Sequence, residues 1–194
     1  MNKIGIDERI FIAGGYGMVG SAIYRRLENL KYGIKGKIFR PSKQKLDLLD
    51  KNLVDAWFKK NKPSVVIIAA ARVGGIIAND TYPFDFIFEN LRIQNNIIEA
   101  SWRNGVKRLL FLGSSCIYPK FSSQPIREEY LLTGPLETTN EWYAVSKIAG
   151  LKLCQAIRKQ HNFDAICLMP TNLYGPGDNF TYGRSHVIPS LIRR

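Results

Sequence analysis

Short apolar runs alternate with longer amphipathic stretches along the chain, and this alternation predicts strands and helices in turn. Residues 65–68 read Val-Val-Ile-Ile, an uninterrupted apolar run that is typical of a strand buried on both faces. The predicted strands are residues 9–13, 37–39, 65–70, 108–112 and 165–169. The predicted helices are residues 18–30, 51–60, 83–103 and 141–161.

The regular succession of strand, helix and strand predicts the class of fold. It is typical of an α/β domain in which a parallel sheet carries helices on both faces. We therefore expect a Rossmann-type, doubly wound parallel sheet. Ligands of such sheets bind at the carboxyl ends of the strands, and the motifs described below fall at those ends.

Composition narrows the class of protein. The chain has 194 residues, of which 45% are hydrophobic and 23% charged, enough for one domain with a substantial core. It contains no apolar run approaching the roughly 20 residues that cross a bilayer. The three cysteines are not spaced as a Cys-x-x-Cys pair, which argues against a disulfide framework or a zinc site. We expect a cytoplasmic protein that does not bind a membrane.

The net charge of +12 leaves two interpretations open. One is attraction to a polyanion such as a nucleic acid. The other is a lysine-rich, solvated surface, which we favour because the lysines are scattered and are not interleaved with aromatic residues. A basic cleft also suits a substrate that carries a diphosphate, so we expect no nucleic-acid partner.

The first predicted strand runs into a glycine-rich turn and then a helix. Glycines stand at Gly14, Gly17 and Gly20, within the sequence IFIAGGYGMVG of residues 10–20. Such a turn needs glycine for its dihedral angles and for close approach of the backbone to a diphosphate. The helix that follows offers free N–H groups and positive potential at its N-terminus. With strand and helix on either side, the glycine spacing predicts a dinucleotide site.

The end of the second predicted strand bears on the choice of cofactor. NAD enzymes commonly place an acidic residue there to bind the ribose 2′-hydroxyl, whereas this chain has Arg40, with Lys43 close behind. Either cation would pair with a 2′-phosphate, so NADP(H) is the favoured cofactor. Asp47 follows in the next segment, where it would contact the adenine or cap the following helix.

Two residues of the last predicted helix, together with a serine at the end of a strand, form a candidate catalytic group. Tyr143 and Lys147 are four residues apart and therefore share one helical face. An ammonium near a phenol stabilises the phenolate and lowers its pKa from about 10. The tyrosine would then exchange a proton with a carbonyl or alcohol oxygen while a hydride moves. Ser114, at the end of the fourth strand, would hydrogen-bond the same oxygen.

The glycine turn, the Ser-Ser strand end and the Tyr-Lys pair together resemble the extended short-chain dehydrogenase/reductase family. Several segments resemble one branch of that family, whose members convert GDP-4-keto-6-deoxy-D-mannose to GDP-L-fucose. The segments are residues 17–23, 71–76, 112–120 (LGSSCIYPK), 169–176 (MPTNLYGP) and 185–189 (SHVIP). The resemblance implies epimerisation at C3 and C5 of a GDP-sugar, followed by reduction of the C4 ketone with NADPH.

The same resemblance assigns roles to further residues. It makes Cys116 and His186 the base and acid of epimerisation, provided that nearby positive charge populates the Cys116 thiolate. It places Arg194 on the substrate diphosphate and Asn172 beside the nicotinamide or the sugar. The residues expected at the cofactor are Gly14, Gly15, Tyr16, Gly17, Met18, Val19, Gly20, Arg40, Asp47, Leu112, Gly113, Ser114, Ser115, Lys147, Pro170, Thr171, Asn172, Leu173 and His186.

The chain departs from the family pattern in two respects. Gly15-Tyr16 replaces a pair that usually includes an arginine near the 2′-phosphate, which shifts the selectivity for NADP onto Arg40. The chain is also shorter than family members, so residues 1–194 are expected to form the nucleotide-binding domain, with a substrate-binding region starting at about 176–194. Most of the substrate domain would then be absent. Family members pair through two long helices, which implies a homodimer formed by residues 83–103 and 141–161.

Other functions remain open on the sequence alone. One is a related enzyme that acts on a different nucleotide sugar, such as a GDP-6-deoxy-heptose. Another is a truncated, non-catalytic member that only binds nucleotides, although binding modules commonly lose catalytic groups and this chain retains Ser114, Tyr143 and Lys147. Product analysis would separate the first alternative from the favoured reaction.

Overall fold

The chain folds around a five-stranded sheet in a computed structural model that describes residues 4–181 and 185–193. The strands are β1 Arg9–Ala13, β2 Lys37–Phe39, β3 Val65–Ile68, β4 Arg108–Leu112 and β5 Ala165–Leu168. All neighbouring pairs are parallel, in the order β2-β1-β3-β4-β5. The parallel, doubly wound sheet predicted from the sequence is confirmed.

In the part of the chain that the structure describes, five helices lie between these strands and a sixth follows β5. They are α1 Met18–Asn29, α2 Lys51–Asn61, α3 Ile76–Thr81, α4 Pro83–Arg103, α5 Glu141–His161 and α6 Val187–Arg193, together with short 3-10 turns at Ser115–Ile117, Glu128–Tyr130 and Thr138–Asn140. The predicted helices are present with ends that differ by at most one residue. The sequence pattern missed α3 and α6, because six or seven residues are too few to show a helical period.

Two apolar layers pack on opposite faces of the sheet, as the sequence predicts. On one face, Phe11 and Phe111 lie among side chains of α2, α4 and α5, such as Phe58 and Ile97. On the other face, Ile12 belongs to a smaller cluster covered by α1. The sheet therefore sits between helices on both sides, and the carboxyl ends of its strands remain open.

The α5 helix lies very close to both the sheet and α4. A Cβ atom added to Gly150 would stand 2.5 Å from the Phe111 ring and 2.7 Å from Oε1 of Gln94, so only glycine fits there without movement. Gln94 Nε2 also donates a 2.7 Å hydrogen bond to the buried Ser146 carbonyl. These contacts fix the distance between α5 and the end of β4.

The strand ends are in register at one edge of the sheet. Ala13 pairs with Ile68, Ile68 with Phe111, and Leu112 with Leu168, so four carboxyl ends meet side by side. The loops that follow these strands consequently surround a common space. Among the described residues, no helix has the length and apolar character needed to cross a bilayer.

Candidate active site

The glycine turn after β1 has the geometry of a phosphate-binding turn. Gly14 adopts a φ of +78°, and a Cβ there would lie 2.7 Å from the Ala70 backbone, while a Cβ at Gly20 would lie 2.2 Å from the Gly14 carbonyl oxygen. The first α1 hydrogen bond runs from the Ser21 N–H to the Gly17 carbonyl at 2.8 Å. The N–H groups of the first helical turn therefore have no intrahelical acceptor, and they carry the positive end of the helix dipole. This part of the chain fits a dinucleotide diphosphate.

Arg40 lies against the same turn, as expected for a residue at the end of β2. Its guanidinium carbon is 3.6 Å from the ring centroid of Tyr24 and 4.9 Å from that of Tyr16. A Cβ on Gly15 would approach the Arg40 Cβ to 2.5 Å, which shows how tightly the turn and β2 are packed. Two aromatic rings thus hold a cation at the outer rim of the glycine turn.

The N-terminus of α2 is capped by Asp50 and not by Asp47. Asp50 caps α2, accepting hydrogen bonds from the N–H groups of Asn52 at 2.8 Å and Leu53 at 3.1 Å. Asp47 instead accepts a 3.0 Å bond from the Leu49 N–H within the preceding turn. The capping role suggested for Asp47 is therefore wrong, because Asp50 stands directly before the helix and occupies that position.

A cleft of about 180 Å³ opens at the carboxyl ends of the strands. It brings together many residues predicted from the sequence, namely Met18, Val19, Leu112, Gly113, Ser114, Tyr143, Lys147, Pro170, Thr171, Asn172, Leu173 and His186. Other predicted residues lie outside its wall: Gly14, Gly15, Tyr16, Gly17, Gly20, Arg40, Asp47, Ser115 and Cys116. The first five of these form the turn before and into α1, which borders the cleft.

The predicted catalytic residues converge at the inner end of the cleft. Lys147 is buried, and its ammonium donates a 2.9 Å hydrogen bond to the Leu112 carbonyl at the end of β4. The same ammonium is 5.7 Å from the Tyr143 ring centroid. Ser114 hydrogen-bonds Tyr143 and also accepts a 3.2 Å bond from the Cys116 thiol. Four groups capable of proton exchange or hydrogen bonding therefore form one cluster.

Burial dominates the protonation equilibria of this cluster. Desolvation lowers the pKa of Lys147 to about 8 and raises the pKa of Tyr143, with the Cys116 charge adding to the rise and the Ser114 hydrogen bond opposing it. The expectation that the pKa of Tyr143 lies below its ordinary value is thus wrong for this structure, because loss of hydration is the largest cause of its shift. Tyr143 is held as the protonated phenol.

Cys116 also differs from the expectation. Burial raises the pKa of its thiol, although the Ser114 hydrogen bond and the Lys147 charge act in the opposite direction. The thiol form is therefore favoured at neutral pH, and the thiolate expected of an epimerisation base is not stabilised here. Cys116 contacts the cleft through Ser114, which lies on the wall.

The other two residues assigned by resemblance stand at the C-terminal end of the chain. His186 lines the cleft directly before α6, and its carbonyl accepts a 3.0 Å hydrogen bond from the Ser190 N–H. His186 and Tyr143 therefore line the same cleft. Arg194 lies outside the described residues.

The end of β3, the segment after it and α3 together supply a third of the cleft wall, and the sequence motifs give these residues no role. They are Ile68, Ala69, Ala71, Val73, Gly74 and, in α3, Asn79. Asn90 of α4 pins this segment, because its side chain bonds both the N–H and the carbonyl of Arg72, at 2.8 and 3.0 Å. The signal available in the sequence was the position of residues 71–76 directly after a fully buried strand.

Comparison with known proteins identifies the family of the chain. The chain belongs to the NAD dependent epimerase/dehydratase family, whose sequence model matches residues 10–194. It is 58% identical over 187 residues to a GDP-L-fucose synthase from Sinorhizobium fredii, an alignment that covers 96% of this chain and 58% of the relative. The chain thus spans little more than half of that protein's length.

Two solved structures have the same fold. A GDP-6-OMe-4-keto-L-xylo-heptose reductase from C. jejuni superposes with a TM-score of 0.93 at 36% identity, over 99% of this chain and 54% of that one. A GDP-L-fucose synthetase from Naegleria fowleri, bound to NADP, gives a TM-score of 0.87 at 31% identity, over 99% of this chain and 58% of that one. In the described part of the chain, no cluster of His, Cys, Asp and Glu is suited to hold a metal ion.

Proposed function

We propose that this chain is the nucleotide-binding part of an NADPH-dependent enzyme that epimerises C3 and C5 of GDP-4-keto-6-deoxy-D-mannose and reduces C4, giving GDP-L-fucose. The observation that carries the proposal is the convergence of Ser114, Tyr143, Lys147 and His186 on one cleft beside the glycine turn. The identity to a GDP-L-fucose synthase over nearly the whole chain supports the choice of substrate.

NADP(H) is the cofactor that the residues at the outer rim suit. The free N–H groups at the start of α1 would hold the diphosphate, and Arg40 would pair with the 2′-phosphate. Tyr16 and Tyr24 restrict the Arg40 guanidinium to one position by stacking on it. The solved relative bound to NADP, which shares the fold, agrees with this choice.

Reduction uses the proton held on Tyr143. NADPH, when bound, supplies the hydride that reduces C4. Ser114 donates a hydrogen bond to the C4 oxygen of the substrate, and Tyr143 delivers its proton to that oxygen as charge develops on it. Lys147 stabilises the phenolate that remains, since its ammonium is anchored within the same cluster by the Leu112 carbonyl.

Epimerisation needs a base and an acid beside the sugar. A ketone at C4 acidifies the protons on C3 and C5, so one pair of residues serves both carbons. Cys116 is the proposed base and His186 the proposed acid. Because burial raises the pKa of Cys116, it becomes a base only once the substrate and the Lys147 charge favour the thiolate.

Substrate binding and assembly complete the proposal. Residues from about 176 onward, with Arg194, begin the region that holds the GDP-sugar.

The chain pairs as a homodimer through α4 and α5, supported by exposed aromatic side chains on both helices. Phe84 and Phe88 stack on α4 with ring centroids 5.1 Å apart, and Trp142 is 46% exposed on α5. Light scattering would detect the dimer. Phe88→Glu should weaken it, and Phe121→Glu, which lies outside both helices, should not.

The experiment that tests the reaction is product analysis. A chain extended to the length of its relatives is incubated with GDP-4-keto-6-deoxy-D-mannose and NADPH, and the sugar product is identified by NMR. We expect GDP-L-fucose, formed with one equivalent of NADPH oxidised. Cys116→Ser and His186→Gln should impair epimerisation while NADPH binding persists. Unchanged epimerisation in both variants would refute the assigned roles.

A second candidate substrate is a GDP-linked heptose. The structural match to the C. jejuni heptose reductase, at a TM-score of 0.93, favours it as the alternative. Competition between the two keto-sugars for NADPH oxidation separates these functions. Preferential consumption of the heptose would contradict the proposed fucose reaction and identify the GDP-linked heptose as the substrate.

We place the protein in the cytoplasm and propose that it binds neither membrane nor nucleic acid, despite its charge of +12. The charge would instead favour approach of the diphosphates of cofactor and substrate. A DNA mobility-shift assay over a range of salt concentrations tests the nucleic-acid part. A shift that weakens with salt would contradict it.

A further inference from the structure

Asn79 of α3 carries an unused hydrogen-bond acceptor in the wall of the cleft. The residue is only 6% exposed and lines the cleft wall, and its Oδ1 atom is buried without a hydrogen-bond partner. Buried side-chain oxygens almost always have a partner, so an exception beside a binding cleft needs an explanation.

The orientation of the Asn79 amide is fixed by its other end. Nδ2 donates to the Gly74 carbonyl at 2.8 Å and to the Gly75 carbonyl at 3.1 Å. Turning the amide over would place Oδ1 against both carbonyl oxygens, which cannot donate. Oδ1 is therefore the atom left without a partner, and only a donor can satisfy it.

Asn90 provides the internal comparison. It is buried to a similar degree, 3% exposed, and it holds the same segment after β3. Its Oδ1 accepts from the Arg72 N–H at 2.8 Å, and its Nδ2 donates to the Arg72 and Phe86 carbonyls. The side-chain oxygen and both N–H donors of Asn90 are used within the protein, so an unpaired oxygen is not a general feature of this segment.

We infer that Asn79 Oδ1 is a ligand-binding group that accepts a hydrogen bond from an N–H or O–H of the molecule bound in the cleft. The inference rests on the proposed function, which supplies two sources of such a donor: the carboxamide of the cofactor and the hydroxyls of the sugar. A Cβ added to Gly75, whose carbonyl Asn79 bonds, would lie 2.7 Å from the carbonyl oxygen of Ser185, the residue before His186. Asn79 thus reaches the cleft on the His186 side.

The test compares ligands that have and lack the donor. Calorimetry measures the Kd of NADPH and of its 3-acetylpyridine analogue, in which a methyl group replaces the carboxamide NH2. A second arm measures GDP-mannose with its 2-deoxy and 3-deoxy analogues. For the correct source, the wild-type chain should bind the parent roughly tenfold more tightly than the analogue, because the analogue leaves Oδ1 unpaired.

Variants locate this preference at one atom. Asn79→Leu should bind parent and analogue alike, because the leucine side chain carries no acceptor. Asn90→Leu loosens the same segment and should keep the preference. Loss of preference for the acetylpyridine pair identifies the cofactor as the donor, and loss for a deoxy-sugar pair identifies the sugar.

An unchanged preference in Asn79→Leu for every pair would overturn the inference, since Oδ1 would then bond only water. That result leaves the proposed function intact if NADPH binding and formation of GDP-L-fucose persist. Failure of NADPH and GDP-mannose to bind the wild-type chain would overturn both.

Discussion

The two ends of the cleft work by different physical means. At the inner end, Tyr143 and Lys147 are withdrawn from water, and burial shifts the pKa of each in the direction that favours the neutral group. Beyond the outer end, Tyr16 is 65% exposed and contacts Arg40 at the rim of an open turn, where fit of the backbone decides what binds. Proton chemistry thus belongs to the buried end and recognition of the cofactor to the exposed end.

Removing the phenol at the inner end should have the largest effect. Tyr143→Phe deletes the proton that burial keeps in place, and we expect reduction to slow roughly 1000-fold, equivalent to about 4 kcal/mol. NADPH oxidation followed at 340 nm measures the loss. Tyr118→Phe changes a nearby tyrosine that does not line the cleft and should be nearly silent. Equal effects of the two variants would contradict the division between the ends.

A methyl group in the glycine turn should act on the outer end. Gly20→Ala places a Cβ 2.2 Å from the Gly14 carbonyl oxygen, which cannot move without distorting the turn, and we expect a loss of about 3 kcal/mol in the free energy of unfolding. Gly17→Ala is the control, since its Cβ would lie 3.4 Å from the same oxygen. Urea denaturation measures both variants. Similar losses would show that the turn adapts more freely than its geometry indicates.

The low pKa of Lys147 makes stability depend on pH. Its folded pKa of about 8 lies below the ordinary 10.5, so between these values the unfolded chain binds the extra proton and the folded state gains stability as pH rises. From pH 7 to 9.5 the wild type should gain about 2 kcal/mol relative to Lys147→Met. Denaturation curves at several pH values check this. A gain that is the same in both proteins would assign it to other groups.

Arg40 should give the smallest and most selective effect. Arg40→Ala should weaken NADPH binding about tenfold, or roughly 1.4 kcal/mol, and leave NADH unchanged, because only NADPH carries the 2′-phosphate. Lys43→Ala tests the second cation considered from the sequence. If Lys43 rather than Arg40 carries the selectivity, the stacking of Arg40 between Tyr16 and Tyr24 has a purely structural purpose.

The sequence predicted the fold better than the chemistry of the site. The alternation of apolar and amphipathic segments located all five strands and the four longer helices, because periodicity records which faces are buried. It also placed Tyr143 and Lys147 together. The direction of the Tyr143 pKa shift was predicted wrongly, since the sequence shows the neighbouring charge and not the depth of burial.

The missed features of the site share a cause. Asn79 and Asn90 are distant from the glycine and Tyr-Lys motifs along the chain, and their importance follows from which carbonyls they contact. An asparagine in a short helix has no pattern that distinguishes a paired oxygen from an unpaired one. Such residues become visible only when the hydrogen bonds of each buried group are traced.

Lys147 is held by a carbonyl of the main chain, and this has a consequence for how the protein can change over evolution. The anchor itself does not depend on the side chain at Leu112, because replacing that side chain leaves the peptide oxygen where it was. Gly150 has no such latitude: any larger residue there would push α5 away from Phe111 and carry the lysine with it. Which substitutions are tolerated near the Lys147 ammonium therefore depends on the spacing between α5 and the sheet more than on which residue stands at position 112.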